Sequence, residues 1–161
     1  MTVTDPAPTE HAGTTGRGDG NGIDLHYLEL ALAALGPAMA TSHAATVRAT
    51  GDDVRTLARE ALSQQTRQLA AVSACLHGRD DREAAGPGGG PHAGLPGLHG
   101  PALDRAFVVQ LTDHAHISMT AARAEMVGGA SARARKIAED SIRMQCRHLA
   151  ALEQLAPPAR V

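Results

Sequence analysis

Apolar residues recur at three- and four-residue spacing along four stretches of the chain. This is the period of an α-helix with one apolar face, and turn-forming residues separate the stretches. The pattern therefore predicts four helices, each with an apolar stripe available for packing. We expect them at residues 24–47, 52–76, 103–127 and 132–155, with Asp24 as N-cap of the first, the turn at 50–52 capping the second and Ser131 capping the fourth.

The first of these patterns is interrupted at Gly36-Pro37. Pro37 has no N–H to bond back to the carbonyl of Ala33, and its ring disfavours the helical conformation of the residue before it. We therefore predict a kink at this point, with the helix resuming afterwards. The third helix has no proline after Pro101 and is predicted to be continuous.

The predicted apolar face of the second helix contains an amide, whereas that of the third helix consists of apolar residues. Gln65 lies in the middle of the face of the second helix, where a buried amide needs a hydrogen-bond partner. The face of the third helix is expected to consist of Val108, Leu111, Ala115, Met119, Ala122 and Met126, with Phe107 at its edge.

Two segments lack any helical period. Residues 1–22 consist mostly of Thr, Gly, Pro and Asp, which is typical of a disordered tail. Residues 77–100 are rich in Gly and Pro and are predicted to form a long linker. Two helical hairpins, at 24–76 and 104–155, lie on either side of that linker.

The two hairpins are copies of one repeat. They align without a gap at a constant separation of 80 positions, which places Tyr27 on Phe107 and Gln65 on Gln145. A hairpin has one apolar stripe per helix and cannot bury both alone, whereas two hairpins packed together can. The repeat therefore predicts a single all-α domain at 23–156, a four-helix bundle with the linker as its long central connection.

Composition and charge narrow the class of function. With no Trp, one Tyr and one Phe, the chain is poor in the residues that fill β-sandwiches and barrels. A formal net charge of −2 gives no general attraction to nucleic acid or anionic lipid. No window is expected to be long and apolar enough to span a membrane, and the N-terminus has no signal-peptide pattern, so we expect a soluble cytoplasmic protein. Two cysteines suggest no disulfide framework.

The candidate chemistry lies in the second hairpin. At about 100° per residue, His114 falls on the face of Phe107, whereas His116 falls on a polar face. Counting outward from the turn places His114 beside Met144 on the fourth helix, with His148 one turn further. These groups, together with Cys146, supply imidazole, thioether and thiolate, the ligands that favour Cu(I). The alternative is a pair of partly buried histidines that bond to Gln145 or to backbone, with methionines as space-filling residues.

The repeated unit also carries a family resemblance. It consists of an Asp, an aromatic residue three positions later, a helix, a Gly turn and a second helix with a central Gln. This unit resembles the ferritin-like family called domain of unknown function 305, from about residue 24 to 155. Residues 95–98, Leu-Pro-Gly-Leu, are similar to that family's Met-Pro-Gly-Met segment. The resemblance implies a ferritin-like bundle, and it implies copper, because several members use a His-His pair on the first helix of each repeat and a Met further along.

This chain matches only part of that ligand pattern. His114 matches the pair, but Ala115 follows it and Ala121 stands at the downstream Met position. In the first repeat Ala34 and Leu35 occupy the pair. The resemblance therefore implies a degenerate member of the family.

Two hypotheses follow, and neither is an enzyme. The core faces carry no Glu-x-x-His for a di-iron site, no phosphate loop and no paired catalytic carboxylates. The first hypothesis is a degenerate copper-binding bundle whose ligands are His114, His148, Met144 and Cys146. The second is a structural or protein-interaction scaffold that has lost the family's ligands. The expected partners are a metal ion, a second copy of the chain or another protein, and neither nucleic acid nor membrane.

Overall fold

The computed structural model describes residues 20–78, 95 and 97–155. Within them the chain forms four α-helices and no strand, which confirms the predicted all-α four-helix bundle. The helices are α1 (Gly22–Arg48), α2 (Asp52–His77), α3 (Gly100–Gly128) and α4 (Ala132–Leu155). The predicted disordered tail and the predicted linker lie largely outside the described residues.

Each helix packs against two neighbours, α1 and α4 both contacting α2 and α3. Asn21, before α1, donates a hydrogen bond to the carbonyl of Gly128 at the end of α3, at 2.8 Å, so these two helices are antiparallel. Gly78 at the end of α2 lies beside Arg133 at the start of α4, so this pair is antiparallel as well. The end of α2 and the start of α3 therefore lie at opposite ends of the bundle, as in ferritin-like bundles with one long crossover.

Two apolar clusters fill the bundle, and each surrounds one aromatic ring. Phe107 is fully buried near the start of α3, and Tyr27 is 3% exposed near the start of α1. Both rings therefore pack into the core, at the positions that the repeat alignment makes equivalent. Phe107 packs with Ala45, Ala49, Val54, Leu57, Ala58, Ala61, Leu111 and Leu152, and Tyr27 with Leu28, Val72, Cys75, Ala122, Ala134, Ile137 and Ala138.

The start of α1 differs from the prediction. The N-cap is Asn21, whose Oδ1 accepts from the backbone N–H groups of Ile23 at 2.9 Å and Asp24 at 3.1 Å. Asp24 lies three residues further on, fully buried, and its carboxylate accepts from the backbone N–H of Asn21. Asn21 and Asp24 thus form a reciprocal capping box, in which the carboxylate is the second member and not the cap itself.

The carboxylate of Asp24 also binds the other hairpin. Its Oδ1 accepts from the backbone N–H of Ser131, in the turn between α3 and α4, at 2.8 Å. Asp104, its equivalent in the repeat, accepts from the N–H groups of Thr50 at 2.9 Å and Gly51 at 3.0 Å, in the turn between α1 and α2. Each hairpin therefore caps the turn of the other, an arrangement we call the cross-cap.

The cross-cap corrects the prediction for α2. Gly51 is the N-cap residue of α2 and has no side chain that could cap it, so the turn supplies no side-chain cap, and Asp104 binds the N–H groups of Thr50 and Gly51 just before the helix. The prediction for α4 is confirmed, because Ser131 Oγ accepts from the N–H of Ala134 at 3.2 Å.

α1 continues through Pro37 as a single helix. Proline costs the helix one backbone hydrogen bond. Leu35 and Ala38 are 1% and 9% exposed on either side of it, so core packing holds both halves of the helix in register. A bend of the axis at this point stays a prediction. α3 is continuous, as predicted.

The predicted face of α3 is buried or half-buried except at its end. Met126 is 42% exposed, which contradicts its assignment to the core. The neighbouring Glu125 is fully buried and occupies the inward position at this turn. The apolar pattern missed it because a carboxylate is seldom placed inside a core.

α1 is longer and more apolar than the sequence analysis expected of any segment. By length and composition it is apolar enough to cross a membrane, and 22% of its apolar 18-residue stretch is buried in the bundle. The earlier expectation that no window reaches this threshold is therefore wrong. The reason is that the outer face of α1 is rich in Ala and Leu, with Glu29 its single charged residue between Leu25 and Val47.

Candidate functional site

His148 is the most enclosed of the predicted site residues. It lies on α4 with 2% of its surface exposed, and its Nδ1 is 3.3 Å from Oε1 of Gln145. Because an amide oxygen only accepts, Nδ1 carries the proton and Nε2 presents a lone pair. This Nε2 is buried and has no hydrogen-bond partner among the described residues.

The surroundings of His148 keep its ring neutral. Burial is the main cause that lowers its pKa to about 4, and the positive charges that His114 and Arg147 carry when protonated lower it further. A neutral imidazole is the form that binds metal ions.

His114 lies on α3 and is half-buried, whereas His116 is exposed, both as predicted. The Nε2 atom of His114 is 3.4 Å from Ser118 Oγ, one turn along the same helix. Burial lowers the pKa of His114. Its side chain lines the groove between α1 and α3, where Ala34 faces it from the first repeat.

The two sulfur-containing candidates have different environments. Met144 is 6% exposed and lines a groove of about 330 Å³ between α2 and α4, together with Arg67 and Arg147. Cys146 is exposed, so on α4 it faces away from Met144 and His148. Within the described residues no group of three His, Cys, Asp or Glu side chains is close enough to hold a metal ion.

Glutamine side chains also lie inside the bundle, and the sequence analysis predicted only some of them to be buried. Gln65 and Gln145, equivalent in the repeat, are both fully buried. The predicted need of Gln65 for a partner is not met within the described chain, because neither of its amide atoms has a hydrogen bond there. The alignment of repeats contained a further signal, since it places Gln68 on His148 and so marks both as inward polar positions.

A second cavity, of about 300 Å³, lies between α1 and α3. Its walls are mostly apolar, and Tyr27, Gln68 and Ser141 reach it from the interior. His114 lies at its edge, where it meets a neighbouring cavity of about 330 Å³ beside Pro37. Sequence reasoning did not find these cavities, because alanines leave the space and alanine has no chemical signature.

The arrangement of helices can be compared with known structures. A crystal structure of a DUF305 fragment from Deinococcus radiodurans superposes with a TM-score of 0.71, over 86% of this chain and 97% of the fragment. The fold is that of DUF305. At 17% sequence identity, this likeness to the DUF305 fragment establishes the fold and carries no ligand with it.

The resemblance deduced from the repeated unit is thus confirmed at the level of the DUF305 fold. The sequence alone would not have led there by direct matching, since neither a family profile nor a curated protein matches it.

Proposed function

We propose that this chain is a non-catalytic DUF305-fold bundle that binds a soft transition-metal ion, copper above all, in its second hairpin. The ligands are the imidazoles of His148 and His114 and the thioether of Met144. Of the four residues predicted from the sequence, the exposed Cys146 has the weakest structural support. Bound as Cu(I), the metal would serve storage or sensing.

One observation carries this proposal: the buried, unpartnered Nε2 of His148. Leaving a buried polar atom without a partner costs about 1–3 kcal/mol of stability. A bound metal ion would give this Nε2 atom a partner and remove that cost. The contact between Nδ1 and Gln145 Oε1 fixes the ring orientation and the tautomer, as an outer hydrogen bond does for many metal-bound histidines. An imidazole and a thioether one turn apart on α4 fit the preference of Cu(I) for soft ligands.

Competition for Cu(I) tests the proposal. Purified, reduced protein is titrated against a chelator of known Cu(I) affinity, with metal content measured in parallel. His148→Gln, which installs the residue present at the equivalent position of the first hairpin, is expected to weaken binding at least about tenfold, or about 1.4 kcal/mol. His114→Ala is expected to act in the same direction.

His116→Ala is the matched control, because His116 lies two residues from His114 but is exposed. It should leave the Cu(I) affinity unchanged. The proposal is wrong if the wild-type protein cannot compete for Cu(I), or if His148→Gln and His116→Ala have the same effect.

A specific observation favours the second hypothesis, an interaction scaffold. Three exposed apolar side chains lie where α1 begins and α3 ends: Ile23 is 44% exposed, Met126 42% and Val127 92%. Ile23 also lies against Gly128. Such a patch is typical of a contact surface. If Cu(I) competition fails, sedimentation of wild-type protein and of Val127→Glu would show whether this patch drives self-association.

A further inference from the structure

The groove between α2 and α4 carries two arginines, one on each wall. Arg67 lies on α2 and Arg147 on α4, and both line the groove. Both side chains are exposed, so a molecule in the groove can reach their guanidinium groups. Ile137 and Met144, which are buried, form the apolar part of its floor. The groove therefore combines accessible positive charge with an apolar surface beneath it.

Within the described part of the chain, neither of these arginines forms an ion pair. Arg67 donates from Nη1 to Ser63 Oγ at 3.0 Å, and Arg147 donates from Nε to the carbonyl of Arg143 at 3.4 Å. Both acceptors are neutral and lie on the arginine's own helix. The groove also contains Asp140, but its carboxylate is already paired with Arg143. Two positive charges therefore face the groove without a carboxylate of their own.

The repeat supports a role for this pair of arginines. Arg67 and Arg147 are equivalent, 80 positions apart, whereas the exposed residues that precede them, Thr66 and Cys146, differ. An exposed arginine without an ion pair adds little to the stability of a bundle. Both hairpins nevertheless have one at this position, on the two walls of one groove. A ligand shared by the two side chains explains why both are present.

The chemistry of the groove indicates the class of this ligand. A guanidinium group binds a carboxylate or phosphate group through two parallel hydrogen bonds, and two such groups on facing walls suit two negative charges. The volume of about 330 Å³ lies at the lower end of the range for ligand pockets, so several carbon atoms fit beside the charged oxygens. Small dicarboxylates and phosphate esters share these properties.

We propose that the groove between α2 and α4 binds a small organic dianion, whose carboxylate or phosphate oxygens accept hydrogen bonds from Arg67 and Arg147. Its carbon atoms lie over Ile137 and Met144. Met144 is also a ligand of the proposed metal site, so the two sites adjoin. The arginines bind the dianion without a metal ion, and metal-free protein is therefore the material for the test.

Calorimetric titration of the metal-free protein, in a buffer without phosphate and at constant chloride, measures the binding. Succinate and methyl phosphate are the two probes, and saturable binding of succinate, methyl phosphate or both is expected. The stronger probe shows whether the groove prefers carboxylates or phosphates. Butanoate, which has the carbon chain of succinate and one carboxylate, should bind at least about tenfold more weakly than that probe, because it engages one arginine only. The proposal is wrong if neither dianion saturates, or if butanoate binds equally well.

Substitution of each arginine locates the site. Arg67→Gln and Arg147→Gln should each weaken binding of the dianion at least about tenfold. Both positions are exposed, so both variants should keep the helical circular dichroism of the wild type. Arg59→Gln is the matched control, because Arg59 is exposed on α2, lines none of the described grooves and carries the same charge. An equal loss in Arg59→Gln would mean that only net charge matters, and would overturn the proposal.

Met144→Leu separates the dianion site from the proposed metal site. It removes the thioether and keeps an apolar side chain of similar size, so Cu(I) affinity should fall while dianion binding stays close to that of the wild type. Dianion binding without Cu(I) binding would reject only the proposed metal function. Cu(I) binding without dianion binding would reject only the dianion site.

Discussion

The first hairpin places Ala34 and Gln68 where the second hairpin places His114 and His148. At the cross-cap, in contrast, the hairpins agree, since each contributes a carboxylate from the start of its first helix. Both also bury an aromatic ring and a central glutamine at equivalent positions. One molecule therefore contains the fold with the imidazoles and the same fold without them.

This difference separates two kinds of residue. The aromatic rings, the carboxylates and the central amides occur in both hairpins, so they belong to the fold. His114 and His148 occur only in the second hairpin, so the fold does not need them. Replacing a residue by its equivalent from the other hairpin therefore tests, at each position, whether the residue serves the fold or the candidate site.

The largest effect is expected where the aromatic rings pack. Phe107→Ala and Tyr27→Ala remove buried rings and leave cavities, which costs about 3–5 kcal/mol for an aromatic residue. Urea denaturation measures the free energy of unfolding of both. If the hairpins are equivalent, the two values should agree within about 1 kcal/mol, and Tyr27→Phe should be close to wild type. A large loss at only one position would break the equivalence.

A smaller effect is expected at the cross-cap. Asp24→Ala removes a fully buried carboxylate from the N–H groups of Asn21 and Ser131, and should cost about 2–3 kcal/mol. Asp104→Ala removes a half-buried one, where water can replace the bond, and should cost about 1–2 kcal/mol. Chemical denaturation ranks the two. The reverse order would show that burial does not govern this interaction.

The smallest of the three effects depends on pH. His148 has a folded pKa of about 4 against about 6.5 when unfolded, so the unfolded state binds the extra proton between these values. The stability due to the neutral ring is therefore complete above pH 6.5 and is lost as the pH falls towards 4. His148→Gln should reduce the stability lost between pH 7 and pH 4.5 by about 2 kcal/mol.

The difference between wild type and His148→Gln isolates this residue, because His114 and the carboxylates titrate in both proteins. His116→Gln, at an exposed position, should follow the wild-type curve. Parallel curves for His148→Gln and wild type would mean that folding does not lower the pKa of His148.

The periodicity of apolar residues was enough to predict the helices and, through the repeat, the bundle. The prediction of a kink at Pro37 came from local sterics alone, which take no account of the packing between helices on both sides of that residue. The periodicity could not reveal the cross-cap, since Asp24 and Ser131 are 107 positions apart and a carboxylate near a helix start suggests a local cap first.

The candidate site was predictable only in part. Helical geometry correctly separated the half-buried His114 from the exposed His116. Sequence spacing also contained the reason against Cys146, since at about 100° per residue it lies opposite Met144 and His148 on α4, and it is exposed while they are buried. It could not show the orphaned Nε2 of His148, which depends on where Gln145 points.

The cross-cap has a consequence for how the chain assembles. Asp24 and Asp104 each bind backbone N–H groups in a turn that belongs to the opposite hairpin, so these N–H groups reach their carboxylate only when both hairpins have docked. Because each hairpin carries both a carboxylate and an open turn, two copies of a single hairpin would satisfy one another in the same way. The two halves are thus related like the subunits of a symmetric dimer, and the loss of either carboxylate is expected to weaken their docking.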